Sequence, residues 1–179
     1  MPAQWRAGPL GASQMNVKAA GLALAIVAAA AGAAGARGNV VFAGGSWAAI
    51  DRGSACEALV RSARIAAKGK VQAVAGLSFT PDRRRWGEFH ARLSRTVRPG
   101  SSVMLTVGSA PFLLVARGND AWSRGPLQEQ AIIAALRDSG GMKIEARDLG
   151  GSRFVDPYSL DGAPTAIDAA AARCAGKKQ

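Results

Sequence analysis

One run in the sequence, Arg83-Arg84-Arg85-Trp86, has side chains that could bind a ligand directly. Guanidinium groups form paired hydrogen bonds with phosphate or carboxylate oxygens, and tryptophan supplies an aromatic face for stacking. The run therefore predicts an anion-binding surface. Because runs of like charge are also common at solvated loop tips, a loop without a ligand is the alternative interpretation.

His90 is the only histidine, and no Cys, Asp or Glu stands at a spacing typical of metal ligands. It alternates onto the more polar side of its segment, so we expect a surface histidine and no cofactor. A hydrolase could use a serine, His90 and a carboxylate, but the sequence has no G-x-S-x-G motif. Catalysis is therefore the weaker interpretation.

A second group of residues, Asp156, Tyr158, Leu160 and Gly162, precedes an alanine-rich segment at the end of the chain. A tyrosine hydroxyl bonded to nearby backbone is a common device in β-sandwiches. We therefore expect Asp156 and Tyr158 to brace a structural corner between a last strand and a closing helix.

The first residues have the pattern of an export signal. Lys18 precedes an apolar run of about 13 residues that is too short to span a bilayer comfortably, and Ala34-Gly35-Ala36 follows. The pattern predicts a signal peptide over residues 1–36, with Met15 as a second candidate start. No transmembrane segment is expected after cleavage, and an uncleaved membrane anchor is the alternative.

Residues 37–179 hold both cysteines, Cys56 and Cys174, far apart in sequence. In an exported chain such a pair predicts a disulfide, whereas two buried free thiols are the alternative.

The chain carries a formal net charge of +11, of which Arg6 and Lys18, both before residue 37, contribute two charges. The remaining excess is local, since ten basic residues lie between Arg61 and Arg98 beside only two acidic ones.

Short alternating segments separated by turns predict a single domain over residues 37–179, mainly β, with the layout of a β-sandwich. The clearest hairpin joins Val103 to Ala116 around Gly108-Ser109, and 86–93 alternates with Trp86, Glu88, His90 and Arg92 on one side. Residues 37–46 are expected to be a short lead-in to Trp47, and 61–70 a charged connection rather than a short helix. Helices are predicted over 126–139 and from about Ala163 to Cys174.

This order of features resembles the invasion-associated locus B family of exported bacterial proteins. The residues that carry the resemblance are Trp47 with Cys56, the hairpin 103–116, Trp122-Ser123 with the helix segment 130–136, and Asp156-x-Tyr158-Ser159-Leu160-x-Gly162 with Cys174. The resemblance implies an immunoglobulin-like sandwich, export, and a link to host-cell invasion, but no catalysis. The triple arginine and Ala163 depart from the family pattern.

These observations predict a non-enzymatic periplasmic or secreted protein that acts by surface binding. For an exported protein, the expected partner of the arginine run is an anionic component of the envelope or of a host surface, and nucleic acid is not expected. The alternatives are a small periplasmic hydrolase and a structural factor that supports envelope integrity.

Overall fold

The computed structural model describes residues 38–177. The predicted signal peptide, with Met15 and the Ala34-Gly35-Ala36 cleavage site, lies outside the described residues and stays a prediction. Within 38–177, no helix combines the length and apolar composition needed to cross a membrane.

Ten strands and two helices make up the described chain. In order they are β1 (Asn39–Gly44), β2 (Trp47–Asp51), β3 (Cys56–Arg61), β4 (Val74–Phe79), β5 (Trp86–Arg92), β6 (Val103–Val107), β7 (Ala110–Arg117), β8 (Asp120–Trp122), α1 (Pro126–Asp138), β9 (Gly141–Arg147), β10 (Arg153–Ser159) and α2 (Ala163–Ala175).

The strands form one antiparallel ladder in the order β1-β2-β3-β4-β5-β8-β7-β6-β9-β10. Strand β7 links the two halves, because its residues 110–114 pair with β6 and its residues 115–117 pair with β8. A single hydrophobic cluster draws side chains from both halves, including Leu77 and Phe89 from one and Leu105 and Ile144 from the other. The prediction of a mainly β fold with two helices, the second at the C-terminus, is confirmed.

Both helices cover the inner face of the ladder. In α1, Pro126 stands in the first turn, where its missing N–H costs nothing, and Ile132 and Leu136 are fully buried. In α2, small residues such as Ala166 and Ala170 form the buried stripe beside Cys174, which lets the helix approach β2 and β3 closely.

Two features of the chain differ from the sequence prediction, and a third confirms it. Residues 39–42 are not a lead-in but part of β1, which pairs with β2 up to Gly44. The segment 62–73 contains no helix, which confirms a connection there. Strand β10 continues to Ser159, so the turn into α2 begins only at Leu160.

Candidate functional site

The arginine tip, defined here as Arg83, Arg84, Arg85 and Trp86, occupies the hairpin between β4 and β5. Thr80 closes this hairpin: its N–H donates to the Arg85 carbonyl at 2.8 Å, and its carbonyl accepts the Arg83 N–H at 2.9 Å. All three arginines are exposed. Their side chains are therefore presented together from one short, hydrogen-bonded turn.

Asp82 holds the turn from inside. It accepts the Thr80 hydroxyl at 2.5 Å and the Arg84 N–H at 3.1 Å. These two hydrogen bonds, helped by the charges of Arg84 and Arg85, hold the pKa of the Asp82 carboxyl below its usual value.

Arg83 has an unusual backbone. With φ of +58° it is the only non-glycine residue of the described chain in the left-handed region, a conformation that costs an L-residue about 1–2 kcal/mol. Its guanidinium carbon lies 4.5 Å from the centroid of the Trp86 ring, within the range of a cation–π contact. The hairpin therefore holds this arginine in a defined position.

Trp86 is anchored from behind by Phe79, whose ring meets it edge to face with centroids 5.4 Å apart and planes at 81°. The sequence placed Trp86 on the same side as Glu88 and His90, and this was wrong. Gly87 forms a bulge at φ +89°, so Trp86 pairs with Phe79 while Glu88 pairs with Ser78. A glycine inside an alternating strand was the signal that could have revealed the bulge.

The charge of the arginine tip is only partly neutralised. Arg84 lies 3.5 Å from Asp82, with its side chain 88% exposed. Between residues 38 and 177, neither Arg83 nor Arg85 forms an ion pair. The hairpin therefore offers two guanidinium groups without a carboxylate partner in the described chain.

The predicted disulfide between Cys56 and Cys174 is confirmed, with Cα atoms 5.7 Å apart and a sequence separation of 118 residues. The Cys174 sulfur also contacts the Phe79 carbonyl oxygen at 3.2 Å. Since Phe79 supports Trp86, the disulfide lies directly behind the arginine tip. The sequence predicted both features without indicating that they adjoin.

A buried ion-pair cluster beside the disulfide was missed by sequence reasoning. Asp51, 6% exposed, accepts hydrogen bonds from Arg173 Nε at 2.7 Å and from Lys177. The bond from Lys177, then those from the Gly53 N–H and Arg173, lower the pKa of Asp51 strongly. This cluster joins the last turn of α2 to the end of β2.

The predicted corner has a different structure. Asp156 and Tyr158 lie within β10 and are buried, and Leu160 and Gly162 form the turn that follows. One Asp156 carboxyl oxygen accepts the Ser94 N–H at 2.9 Å. The Tyr158 hydroxyl has no hydrogen-bond partner in the described chain, and burial raises its pKa, with a contribution from the Asp156 charge. The predicted hydroxyl-to-backbone bond is therefore absent there.

Gly162 is required at its position for steric reasons. Its φ is +86°, and a Cβ there would collide with the Gly44 carbonyl. The Ser46 N–H also donates to the Asp161 carbonyl at 2.9 Å. The turn before α2 thus packs directly on the connection between β1 and β2.

His90 is not the surface histidine that the sequence predicted, because its side chain is only 25% exposed. Burial lowers its pKa, the nearby Glu57 carboxylate opposes that shift, and Arg85 and Arg52 add to it. The surrounding cleft contains Glu57 but no serine, threonine or cysteine in its lining. No group of three potential metal-ligating side chains occurs between residues 38 and 177.

Comparison with known proteins shows similarity at the level of the fold. No protein-family model matches the chain, and no curated protein matches it. Among solved structures, the chain is similar to invasion associated protein B from Bartonella henselae, with a TM-score of 0.57 and 16% identity. The match covers 75% of this chain and 97% of the Bartonella chain. The resemblance read from the sequence is thus confirmed for the fold.

Proposed function

We propose that this chain is an exported binding protein that attaches to a phosphate-bearing surface of the bacterial envelope through its arginine tip. The observation that carries the proposal is the position of Arg83, which adopts a left-handed backbone and stacks on Trp86. Strained non-glycine residues cluster at functional sites, where the surrounding structure holds them.

The arginine tip is supported rigidly from the core. Trp86 rests on Phe79, and Phe79 contacts the disulfide at Cys174. A preorganised group loses less conformational entropy on binding than a freely moving side chain. Arg83 and Arg85 can therefore meet phosphate oxygens without first leaving a carboxylate of the described chain.

Export to the periplasm or the exterior is part of the proposal. An internal disulfide that spans 118 residues suits an oxidising compartment. The guanidinium groups of the arginine tip are suited to the anionic lipids and lipopolysaccharide phosphates of such a compartment.

We propose binding rather than catalysis. The cleft around His90 combines a weakly basic imidazole with Glu57, 4.0 Å away, but its lining offers no hydroxyl or thiol nucleophile. The similar Bartonella protein is named for an association with invasion. A contact with host cells by this chain would use the same basic surface, with anionic host glycans in place of envelope phosphates.

Retention on an immobilised phosphate matrix tests the proposal. The triple variant Arg83→Ala, Arg84→Ala, Arg85→Ala should bind about a hundredfold more weakly, at about 1 kcal/mol per arginine near an anionic surface. The matched control removes Arg61, Arg98 and Arg117, which are also exposed and form no ion pair in the described chain. If the two triple variants lost the same amount of binding affinity, net charge alone would explain the loss. That result would reject a binding site at the arginine tip.

A further inference from the structure

A concave surface, separate from the arginine tip, lies on the outer face of the sheet, over β3, β4, β5 and β8. Its cavity volume is about 370 Å³, which falls in the range of about 300–1,000 Å³ usual for small-molecule sites. We name it the His90 cleft, and its polar lining consists of Arg52, Glu57, His90, Arg92, Asp120 and Trp122.

Strand register builds this cleft. Leu59, Gly76, His90 and Trp122 are paired in one row across the four strands. Gly76 is fixed as glycine because a Cβ there would collide with the Ala58 carbonyl and come within 2.6 Å of the Leu59 side chain. Leu59 therefore forms an aliphatic wall on one side of the cleft, and His90 and Trp122 line the other side.

The charges of the cleft cancel in pairs. Arg52 Nε lies 2.5 Å from Glu57, and Arg92 Nε lies 3.3 Å from Asp120. The Arg92 and Asp120 pair keeps further N–H donors and carboxylate lone pairs beyond those used between the two partners. The cleft thus presents donors and acceptors side by side, without the excess positive charge of the arginine tip.

His90 adds a polar atom that the protein itself does not satisfy. Its Nε2 is fully buried and has no hydrogen-bond partner in the described chain, the nearest carboxylate oxygen being that of Glu57 at 4.0 Å. A buried polar atom without a partner costs about 1–3 kcal/mol. Because the atom has no solvent-accessible surface, a ligand in the cleft reaches it only if the side chains around His90 shift on binding.

We propose that the His90 cleft binds an uncharged saccharide unit. A sugar ring carries hydroxyls that both donate and accept hydrogen bonds, which matches the paired guanidinium and carboxylate groups. Its C–H face can pack on Trp122, since tryptophan offers a large apolar surface beside polar neighbours. A phosphate or carboxylate gains no net electrostatic attraction here, because Glu57 and Asp120 balance the charges of Arg52 and Arg92.

This second site does not depend on anion binding by the arginine tip. The Trp86 side chain lies on the same face of the sheet as Phe79, its partner in the register. His90 and Trp122, which pair with each other, lie on the opposite face. The two sites therefore recognise different chemistry, phosphate at the tip and neutral hydroxyl groups in the cleft. Phosphate binding at the tip can therefore be disproved while sugar binding in the cleft is confirmed, and the reverse.

Titration of the ¹⁵N-labelled full protein with galactose, N-acetylglucosamine, glucuronate and inorganic phosphate, followed by amide and indole shifts, tests the proposal. At least one neutral sugar should give saturable shifts centred on His90 and Trp122. Arg92→Ala, at a side chain 62% exposed, should weaken that sugar about tenfold, the effect of one lost charge-assisted hydrogen bond.

The matched control is Arg153→Ala, which removes an arginine 66% exposed that pairs with Glu145 on another strand. It should leave sugar binding unchanged. No saturable shift with either neutral sugar, saturation only by glucuronate or phosphate, or equal weakening by Arg92→Ala and Arg153→Ala would each overturn the proposal.

Discussion

The guanidinium carbon of Arg83 lies 4.5 Å from the centroid of the Trp86 ring, and Arg83 holds a left-handed backbone to do so. Glycine adopts this backbone without steric cost. An arginine at that position brings its charge onto an aromatic platform that is fixed to the core through Phe79. This relationship is the observation on which the proposal of anion binding at the arginine tip rests.

The backbone strain at Arg83 makes a prediction that needs no ligand. Arg83→Gly should be more stable than Arg83→Ala by about 1 kcal/mol, because both variants lose the stacking but only alanine keeps the left-handed penalty. Urea denaturation of the two variants measures the difference. At Arg84, which lies outside the left-handed region, alanine should be the more stable replacement. If the alanine variant were more stable than the glycine variant at both Arg83 and Arg84, the backbone of Arg83 would not be strained.

The disulfide should contribute a large part of the stability. Replacing both Cys56 and Cys174 with serine removes a link across 118 residues, which is worth about 4–5 kcal/mol if chain entropy dominates. Chemical denaturation of the serine variant and of the oxidised protein gives this difference. A loss below about 1 kcal/mol would mean that the buried stripe of α2 and the Asp51 cluster hold the helix in place without the disulfide.

Removing the Tyr158 hydroxyl should not destabilise the protein. The hydroxyl is buried without a partner in the described chain, so Tyr158→Phe should be neutral or stabilising by up to about 1 kcal/mol. Tyr158→Ala, which leaves a cavity, should lose about 3–5 kcal/mol and serves as the contrast. A clear loss in Tyr158→Phe would show that the hydroxyl is hydrogen-bonded in solution, as the sequence predicted.

His90 should make stability depend on pH below neutrality. Its pKa is lowered in the folded protein, so below the ordinary value of about 6.5 the unfolded chain takes up a proton before the folded chain does. Folding stability should therefore fall as the pH drops from about 7 to about 5.5.

Thermal unfolding of the wild type and of His90→Gln across this range isolates the effect, because His90 is the only histidine. The glutamine variant should show a flatter dependence on pH. Parallel curves for the two proteins would mean that His90 has the same pKa folded and unfolded.

Local pattern was enough to predict most of the fold. Alternation identified β5 and the hairpin of β6 and β7, and Pro126 with the helical spacing of Ile132 and Leu136 identified α1. The strand β1 was missed because Asn39-Val40-Val41-Phe42 has no strict alternation, and its pairing with β2 stabilises it. The extent of β10 was misjudged because Asp156 and Pro157 are typical turn residues, yet ladder partners on β9 hold them extended.

The candidate site was predictable in composition but not in geometry. The residue types at 83–86 indicated anion binding, whereas the stacking of Arg83 on Trp86 depends on the Gly87 bulge and on Phe79 across the hairpin. The burial of His90 depends on neighbours from β3 and β8 that lie 30 or more positions away in sequence. Such contacts between distant segments leave little trace in local periodicity.

The most direct test of the central claim is sedimentation of the mature protein with vesicles of phosphatidylcholine, with and without phosphatidylglycerol. The wild type should sediment with the anionic vesicles alone, and the triple variant at Arg83, Arg84 and Arg85 should stay in the supernatant while the variant at Arg61, Arg98 and Arg117 still sediments. Binding by the tip variant as tight as that of the wild type would contradict the assignment of the arginine tip as the binding site.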